Sequence, residues 1–173
     1  MKRSFVVLMA FLIVGCAPAP TANSGNPVRA VYLVQGDGQL SSEDLQSHPE
    51  VIVTNSFDDF KKLVAQSKAS LWIDITVARS VDIQWLDKKP QKFYPIALIG
   101  SSDALCSFRD ILDVHSISGP YTDCSAPPKG FSVWMLRSDN SQGTSAFMKG
   151  YEQALTVQSI LDITNALLDG EIK

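Results

Sequence analysis

Short runs of apolar and β-branched residues recur along the chain, separated by segments in which apolar residues return every three or four positions. Runs of the first kind predict strands, and segments of the second kind predict amphipathic helices. We expect five strands, over residues 28–34, 51–54, 69–76, 94–99 and 131–136. Helices are predicted between them, and a last helix is predicted over about 144–169, ended by Gly170. The alternation predicts an α/β domain of three layers, with a mostly parallel sheet of five strands in the order 2-1-3-4-5.

Local signals indicate where some elements begin and how deeply they are buried. Ser56 is a favourable N-cap, and Asp59 three residues later imitates a capping box for the second helix. The run 69–76, with the sequence ASLWIDIT, is nearly all apolar apart from Asp74, which is typical of a strand buried on both faces. We therefore expect this strand at the centre of the sheet.

The first sixteen residues have the organisation of an export signal. Lys2 and Arg3 precede an apolar run over residues 5–14, and Gly15 and Cys16 follow it. An alternative is a transmembrane anchor, but ten apolar residues are too few, since a helix needs about 20 to cross the hydrocarbon core. We therefore expect the protein to be exported.

The sequence Ile13-Val14-Gly15-Cys16 resembles the lipobox of bacterial lipoproteins. The resemblance implies that residues 1–15 form a signal peptide and that Cys16 is acylated, becoming the first residue after cleavage. Two or more acyl chains would anchor the protein durably to a bacterial membrane, facing the periplasm or the cell exterior. Ala17 is not the aspartate associated with retention in the inner membrane, which favours the outer membrane in a cell that has two.

Composition divides the rest of the chain into a linker and one domain. Residues 16–27 are mostly small and polar residues with prolines, so we expect a flexible linker there and a single α/β domain over 28–173. The formal charge of -3 becomes -5 when Lys2 and Arg3 are removed, and no basic stripe is present. We therefore expect no nucleic-acid partner. No cofactor or metal motif is predicted.

The chain contains three cysteines, of which the lipobox resemblance assigns Cys16 to the lipid. We expect Cys106 and Cys124 to form a disulfide in an oxidising compartment. Two free buried thiols are the alternative. A zinc or redox motif is disfavoured because the spacing is not C-x-x-C.

Several fragments together resemble the receiver domain of response regulators: VIVTNSFDDFKKLV, LWIDI and PIALIGSS, within residues 28–138. The resemblance implies a flavodoxin-like fold, with Asp74 as the phospho-acceptor, Ser101 as the switch hydroxyl and Arg137 where a lysine is expected. The acidic pair that holds magnesium is reduced to Asp37, and one carboxylate is a poor magnesium site. A degenerate receiver-like domain without phosphotransfer is thus one interpretation.

In parallel α/β sheets, ligands bind beyond the carboxyl ends of the strands. The residues expected there define the candidate ligand-binding set: Asp37, Asp74, Arg79, Ser101 and Ser102. Asp74 and Arg79 could together hold an anionic group. The competing interpretation is structural, because a carboxylate at the end of a buried strand often caps the following loop.

A small secreted hydrolase is the alternative from another functional class. It would use Ser101 or Ser102, with His115 as base, but the G-x-S-x-G motif of a nucleophile elbow is absent. We assign no catalytic residue and expect a binding role rather than an enzyme. The function expected from the sequence is a lipid-anchored envelope protein whose α/β domain binds a small molecule or an envelope protein partner.

Overall fold

The computed structural model describes residues 27–88, 93–114, 117–119, 123–139 and 143–171. The predicted signal segment, Cys16 and nearly all of the predicted linker lie outside these residues, as does His115. Within the described residues, no helix combines the length and the apolar character needed to span a bilayer.

Six strands and five α-helices make up the described domain, together with one π-helix. The strands are β1 (Ala30–Leu33), β2 (Val51–Thr54), β3 (Ser70–Asp74), β4 (Ile96–Ile99), β5 (Phe131–Asp139) and β6 (Gly143–Tyr151). The helices are α1 (Ser42–Gln46), α2 (Phe57–Gln66), α3 (Ile75–Ala78), α4 (Ile83–Leu86), the π-helix (Cys106–Ile111) and α5 (Val157–Leu168).

The strands form one mixed sheet in the order β2-β1-β3-β4-β5-β6. The first four strands are parallel, whereas β5 is antiparallel to β4 and β6 is antiparallel to β5. The prediction of an α/β fold is confirmed, and the first five strands have the expected order. The prediction of five mostly parallel strands is not confirmed, because the sheet has six strands and its last two pairings, β4 with β5 and β5 with β6, are antiparallel.

The direction of β5 follows from the path of the chain after the π-helix. This segment returns to the carboxyl end of β4, where the Gly100 amide donates to the Gly130 carbonyl (2.8 Å) and the Ser102 amide donates to the Pro128 carbonyl (2.9 Å). Because the chain is already at that end of the sheet when β5 begins, β5 must run back antiparallel to β4.

The sixth strand corrects the predicted last helix. Residues 143–151 pair with β5, and α5 begins only at Val157. Thr156 caps α5 with its side chain, which accepts from the Ser159 amide, and Ser159 bonds back to the Thr156 amide. This capping box fixes the start of α5 about a dozen residues later than the apolar spacing predicts.

Helices cover both faces of the sheet, so the domain has three layers. One core lies between the sheet and α2, α3, α4 and the π-helix, and includes Phe60 and Phe108. The other core lies against α5 and the start of α1, and includes Tyr32 and Trp72. Strand β3 is buried along its whole length, as its apolar sequence predicts.

The amino and carboxyl edges of the sheet have different surroundings. The chain enters the domain at the amino edge, where Arg29 precedes β1. The β5–β6 hairpin extends past β4 at this edge, since β4 pairs only with Phe131–Trp134 whereas β6 pairs with β5 as far as Asp139. The predicted ligand-binding residues follow strand ends at the opposite, carboxyl edge.

Candidate functional site

Asp74 ends β3 and caps α3, which begins at the next residue. Its Oδ1 accepts from the Thr76 amide (2.9 Å) and the Thr76 hydroxyl (2.8 Å), and its Oδ2 accepts from the Gln39 amide (2.8 Å) and the Tyr32 hydroxyl. The residue is fully buried. The structural interpretation of Asp74 is confirmed: the carboxylate caps a helix and holds the loop after β1.

Tyr32 reaches Asp74 because β1 and β3 are adjacent and parallel, with Tyr32 level with Trp72. Burial raises the pKa of the Tyr32 phenol, and the hydrogen bond to Asp74 and the negative charge of Asp74 raise it further. Gly38 lets the loop close over this pair, since a Cβ there would lie 2.8 Å from the Tyr32 hydroxyl. A ligand therefore cannot reach the Asp74 carboxylate without displacing the loop.

Ser101 belongs to a buried cluster of three serine hydroxyls at the carboxyl end of β4. The Ser107 hydroxyl lies 3.0 Å from both the Ser101 and the Ser132 hydroxyls, and Ser132 donates to the Ser101 carbonyl (2.7 Å). All three residues have zero exposure. The cluster joins β4, the π-helix and β5 through polar contacts inside the protein.

Ser102 is 8% exposed, and its hydroxyl is 3.4 Å from the Pro128 carbonyl. The other histidine, His48, lies after α1 beside the carboxylates of Asp44 and Glu50. The described residues therefore place no histidine beside either predicted nucleophile, and His115 lies outside them.

Arg79 is exposed and lines a cleft beside the disulfide rather than the surroundings of Asp74. The cleft has a volume of about 350 Å³ and is lined by charged and small polar residues: Arg79, Arg109, Asp110, Asp113, Asp123, Cys124 and Ser125. Arg109 donates twice to Asp110 (2.6 and 2.7 Å). The hydrogen bond from Arg109 lowers the pKa of Asp110, so the carboxylate stays ionised. We call this the Arg79 cleft.

The structure does not gather the five predicted ligand-binding residues into one site. Asp74 and Ser101 are buried in separate hydrogen-bonded clusters, Asp37 is exposed in the loop after β1, and Arg79 lines the cleft. Arg137, which stands where the receiver resemblance expects a lysine, belongs to β5, but its side chain lies outside the described part of the structure.

The carboxylates of the Arg79 cleft were not identified from the sequence, because Asp110, Asp113 and Asp123 come from the end of the π-helix and from the segment between the π-helix and β5. The available signal was the disulfide. Its 18-residue separation predicts that the segment around Cys124 lies against the start of the π-helix, which brings those charges near each other.

The Cys106 and Cys124 sulfurs are at disulfide-bonding distance, with their Cα atoms 5.5 Å apart. These sulfurs and a carboxylate oxygen of Asp110 form the one group of possible metal ligands among the described residues, lying within 4.8 Å of one another. Sulfurs bonded to each other offer no thiolate, and thiolates are what bind zinc. The oxidised protein therefore has no metal centre at this position.

Comparison with known proteins leaves the description of the site to its geometry. No family model, curated protein or solved structure matches the chain.

Proposed function

We propose that this protein is a lipid-anchored component of the bacterial cell envelope whose α/β domain is a binding module. The Arg79 cleft is where it takes a ligand or a segment of a partner. The observation that carries the binding role is the cleft itself, which combines an exposed guanidinium with carboxylates in about 350 Å³ of space. Export and anchoring are supported by residues 1–16 of the sequence.

The charges of the cleft favour one chemical class of ligand. Arg79 offers a guanidinium that can hold a carboxylate or phosphate, whereas Asp113 and Asp123 offer negative charge nearby. The Ser125 amide and hydroxyl already donate to Asp123, which lowers the pKa of that carboxyl group and keeps it charged. A zwitterion, such as a free amino acid, complements this arrangement better than a purely anionic group does.

The disulfide supports the binding role by fixing one wall of the cleft. Cys124 lines the cleft and is joined to Cys106, which is almost fully buried at the start of the π-helix. A wall held in place before binding loses little conformational freedom when a ligand enters. A hydrolase using Ser101 or Ser102 has weaker support, since the buried Ser101 hydroxyl accepts from Ser107 and the Ser102 hydroxyl lies 3.4 Å from the Pro128 carbonyl.

The test is a crosslinked pull-down of the full-length protein from its own membranes, followed by mass spectrometry of the protein and its partners. The proposal expects acyl chains on Cys16 and a defined set of envelope proteins, or a bound small molecule. Arg79→Glu is expected to lose that capture. Lys62→Glu, which changes an exposed cation on α2, is the matched control and is expected to keep it. Equal capture by both variants would contradict the assignment of the cleft.

A further inference from the structure

A second cleft lies at the amino edge of the sheet, away from the ends of the strands that carry Asp74 and Ser101. Its volume is about 340 Å³, and two cations, two aromatic rings, two apolar side chains and one carboxylate line it: Arg29, Lys68, Phe93, Tyr94, Met135, Leu168 and Asp169. Arg29 precedes β1, Lys68 follows α2, and Asp169 follows α5. We call it the amino-edge cleft.

The linker joins the domain beside this cleft. Residue 27 is the first described residue, and Arg29, two residues later, is part of the lining. Pro27 lies eleven positions after Cys16. A flexible chain of that length has a root-mean-square span of about 20 Å and a maximum span of about 40 Å. A lipid on Cys16 would hold the amino edge close to the membrane surface.

The chemistry of the amino-edge cleft suits the headgroup region of a bilayer. Arg29 and Lys68 are exposed and can hold phosphate oxygens, while the half-buried Phe93 and Tyr94 offer rings of the kind enriched at membrane interfaces. Asp169 opposes the two cations, which leaves one positive charge in excess. The sequence as a whole has a formal net charge of -3, so the lining of this cleft has a sign opposite to that of the whole chain.

We propose that the amino-edge cleft docks onto the membrane and binds the headgroup of an anionic phospholipid. This inference rests on the acylation of Cys16, which belongs to the proposed function. Each basic residue at an anionic surface contributes about fivefold in affinity, so the one positive charge in excess at the cleft contributes about fivefold. That contact would be weak for a free domain, but the tether supplies a high effective concentration. The docked domain presents its carboxyl edge away from the lipid.

The test is lysine footprinting with an amine-reactive ester on the full-length protein purified from its own membranes. The protein is placed in vesicles of phosphatidylcholine alone or of phosphatidylcholine mixed with phosphatidylglycerol. Labelling of Lys68 is expected to slow by about fivefold or more in the anionic vesicles. Lys129, which lies near the carboxyl end of β4, is the internal control and is expected to label equally in both.

Two further measurements separate the possible results. Arg29→Glu is expected to restore rapid labelling of Lys68, whereas Lys62→Glu is not, and high salt is expected to act like Arg29→Glu. The intact mass of the protein reports acylation independently. If Cys16 carries no lipid, the proposed acylation is wrong. The docking proposal is then supported only if an excess of anionic vesicles still protects Lys68 from labelling. Equal labelling of Lys68 in both vesicles overturns docking, whether or not the lipid is present, as does protection by free phosphate alone.

Discussion

The hydrogen bond between Tyr32 and Asp74 gives the sharpest quantitative prediction, because both residues are completely buried. Tyr32→Phe removes the hydroxyl and leaves the Asp74 carboxylate with its donors at Gln39 and Thr76. A hydrogen bond to a charged group contributes about 1.5–3 kcal/mol, so we expect a loss of that size in the free energy of unfolding.

Asp74→Ala is expected to cost more, because it removes a helix cap and leaves the Tyr32 hydroxyl buried without its acceptor. The cap contributes about 1 kcal/mol and the orphaned hydroxyl costs about 1–3 kcal/mol. With the lost bonds to the Gln39 amide and the Thr76 hydroxyl, the total is about 3–5 kcal/mol, a large part of the 5–15 kcal/mol that stabilises a typical domain. The double variant, Tyr32→Phe with Asp74→Ala, has no orphaned hydroxyl. Its loss in free energy of unfolding should therefore be smaller than the sum of the losses of the two single variants by about 1.5–3 kcal/mol.

The assay is urea denaturation of the oxidised protein, followed by tryptophan fluorescence and far-ultraviolet circular dichroism. Tyr151→Phe is the matched control, since the Tyr151 ring stacks on Phe131 with centroids 4.9 Å apart and should keep that packing without its hydroxyl. Its cost should stay below about 1 kcal/mol. A coupling energy between Tyr32 and Asp74 within about 0.5 kcal/mol of zero would refute the reasoning, because independent sites add within that margin.

The same pair predicts how stability depends on alkaline pH. Because the folded state raises the pKa of Tyr32 above its ordinary value of 10.0, the protonated phenol stabilises the folded protein fully below pH 10.0. This contribution is lost progressively as the pH rises above 10.0 and through the higher folded pKa. Tyr32→Phe should therefore flatten the alkaline fall in stability relative to the wild type, and an unchanged slope would contradict the assignment.

Three further predictions concern the disulfide, the packing of β6 and the serine cluster. Reducing the Cys106–Cys124 bond should lower stability by about 3 kcal/mol, measured by urea denaturation with and without a thiol, and the double Cys→Ser variant should then be insensitive to the thiol. Gly150→Ala should destabilise by more than about 2 kcal/mol, because its Cβ would overlap the Ser102 carbonyl oxygen, and a normal melting temperature would contradict this packing. Ser107→Ala should cost about 1–3 kcal/mol at the hydroxyl cluster, which a melting-temperature shift of several degrees would report.

The sequence predicts well those features that depend on neighbouring residues. The Ser56 side chain accepts from the Asp59 amide, as expected of an N-cap. The run around Trp72 forms a fully buried central strand because its apolar residues leave neither face suited to water. The N-cap and the buried strand depend on local preferences, which can be predicted directly from the sequence.

Features that depend on long-range geometry were predicted poorly. The antiparallel direction of β5 depends on where the segment before Gly130 reaches the sheet. A connection that returns to the same end of the sheet and one that crosses to the opposite end have similar lengths, so the sequence does not distinguish them. The strand β6 was missed because its residues 144–151 merge with the apolar spacing of the following helix, although the polar residues 139–143 are typical of a hairpin loop.

The candidate site was predicted only residue by residue. Asp74 was placed correctly at the end of β3, but its partner Tyr32 is 42 residues away and is brought there by strand pairing. Arg79 and Asp123 likewise meet through tertiary structure. The sequence indicates which side chains could bind a ligand, whereas the tertiary structure determines which of them lie close together.

The part of the β5–β6 hairpin beyond β4 is a ribbon of two strands, since Met135–Asp139 pair with Gly143–Phe147 and with no third strand in the described sheet. Isolated two-stranded ribbons are only marginally stable. This ribbon can therefore open while the rest of the domain stays folded, as a separate cooperative unit of low free energy. Proteases should cut it first, and its amide hydrogens should exchange with solvent long before those of β3. The three tryptophans, Trp72, Trp85 and Trp134, lie outside the ribbon, so a denaturation curve read from their fluorescence reports the stability of the core and not the opening of the ribbon.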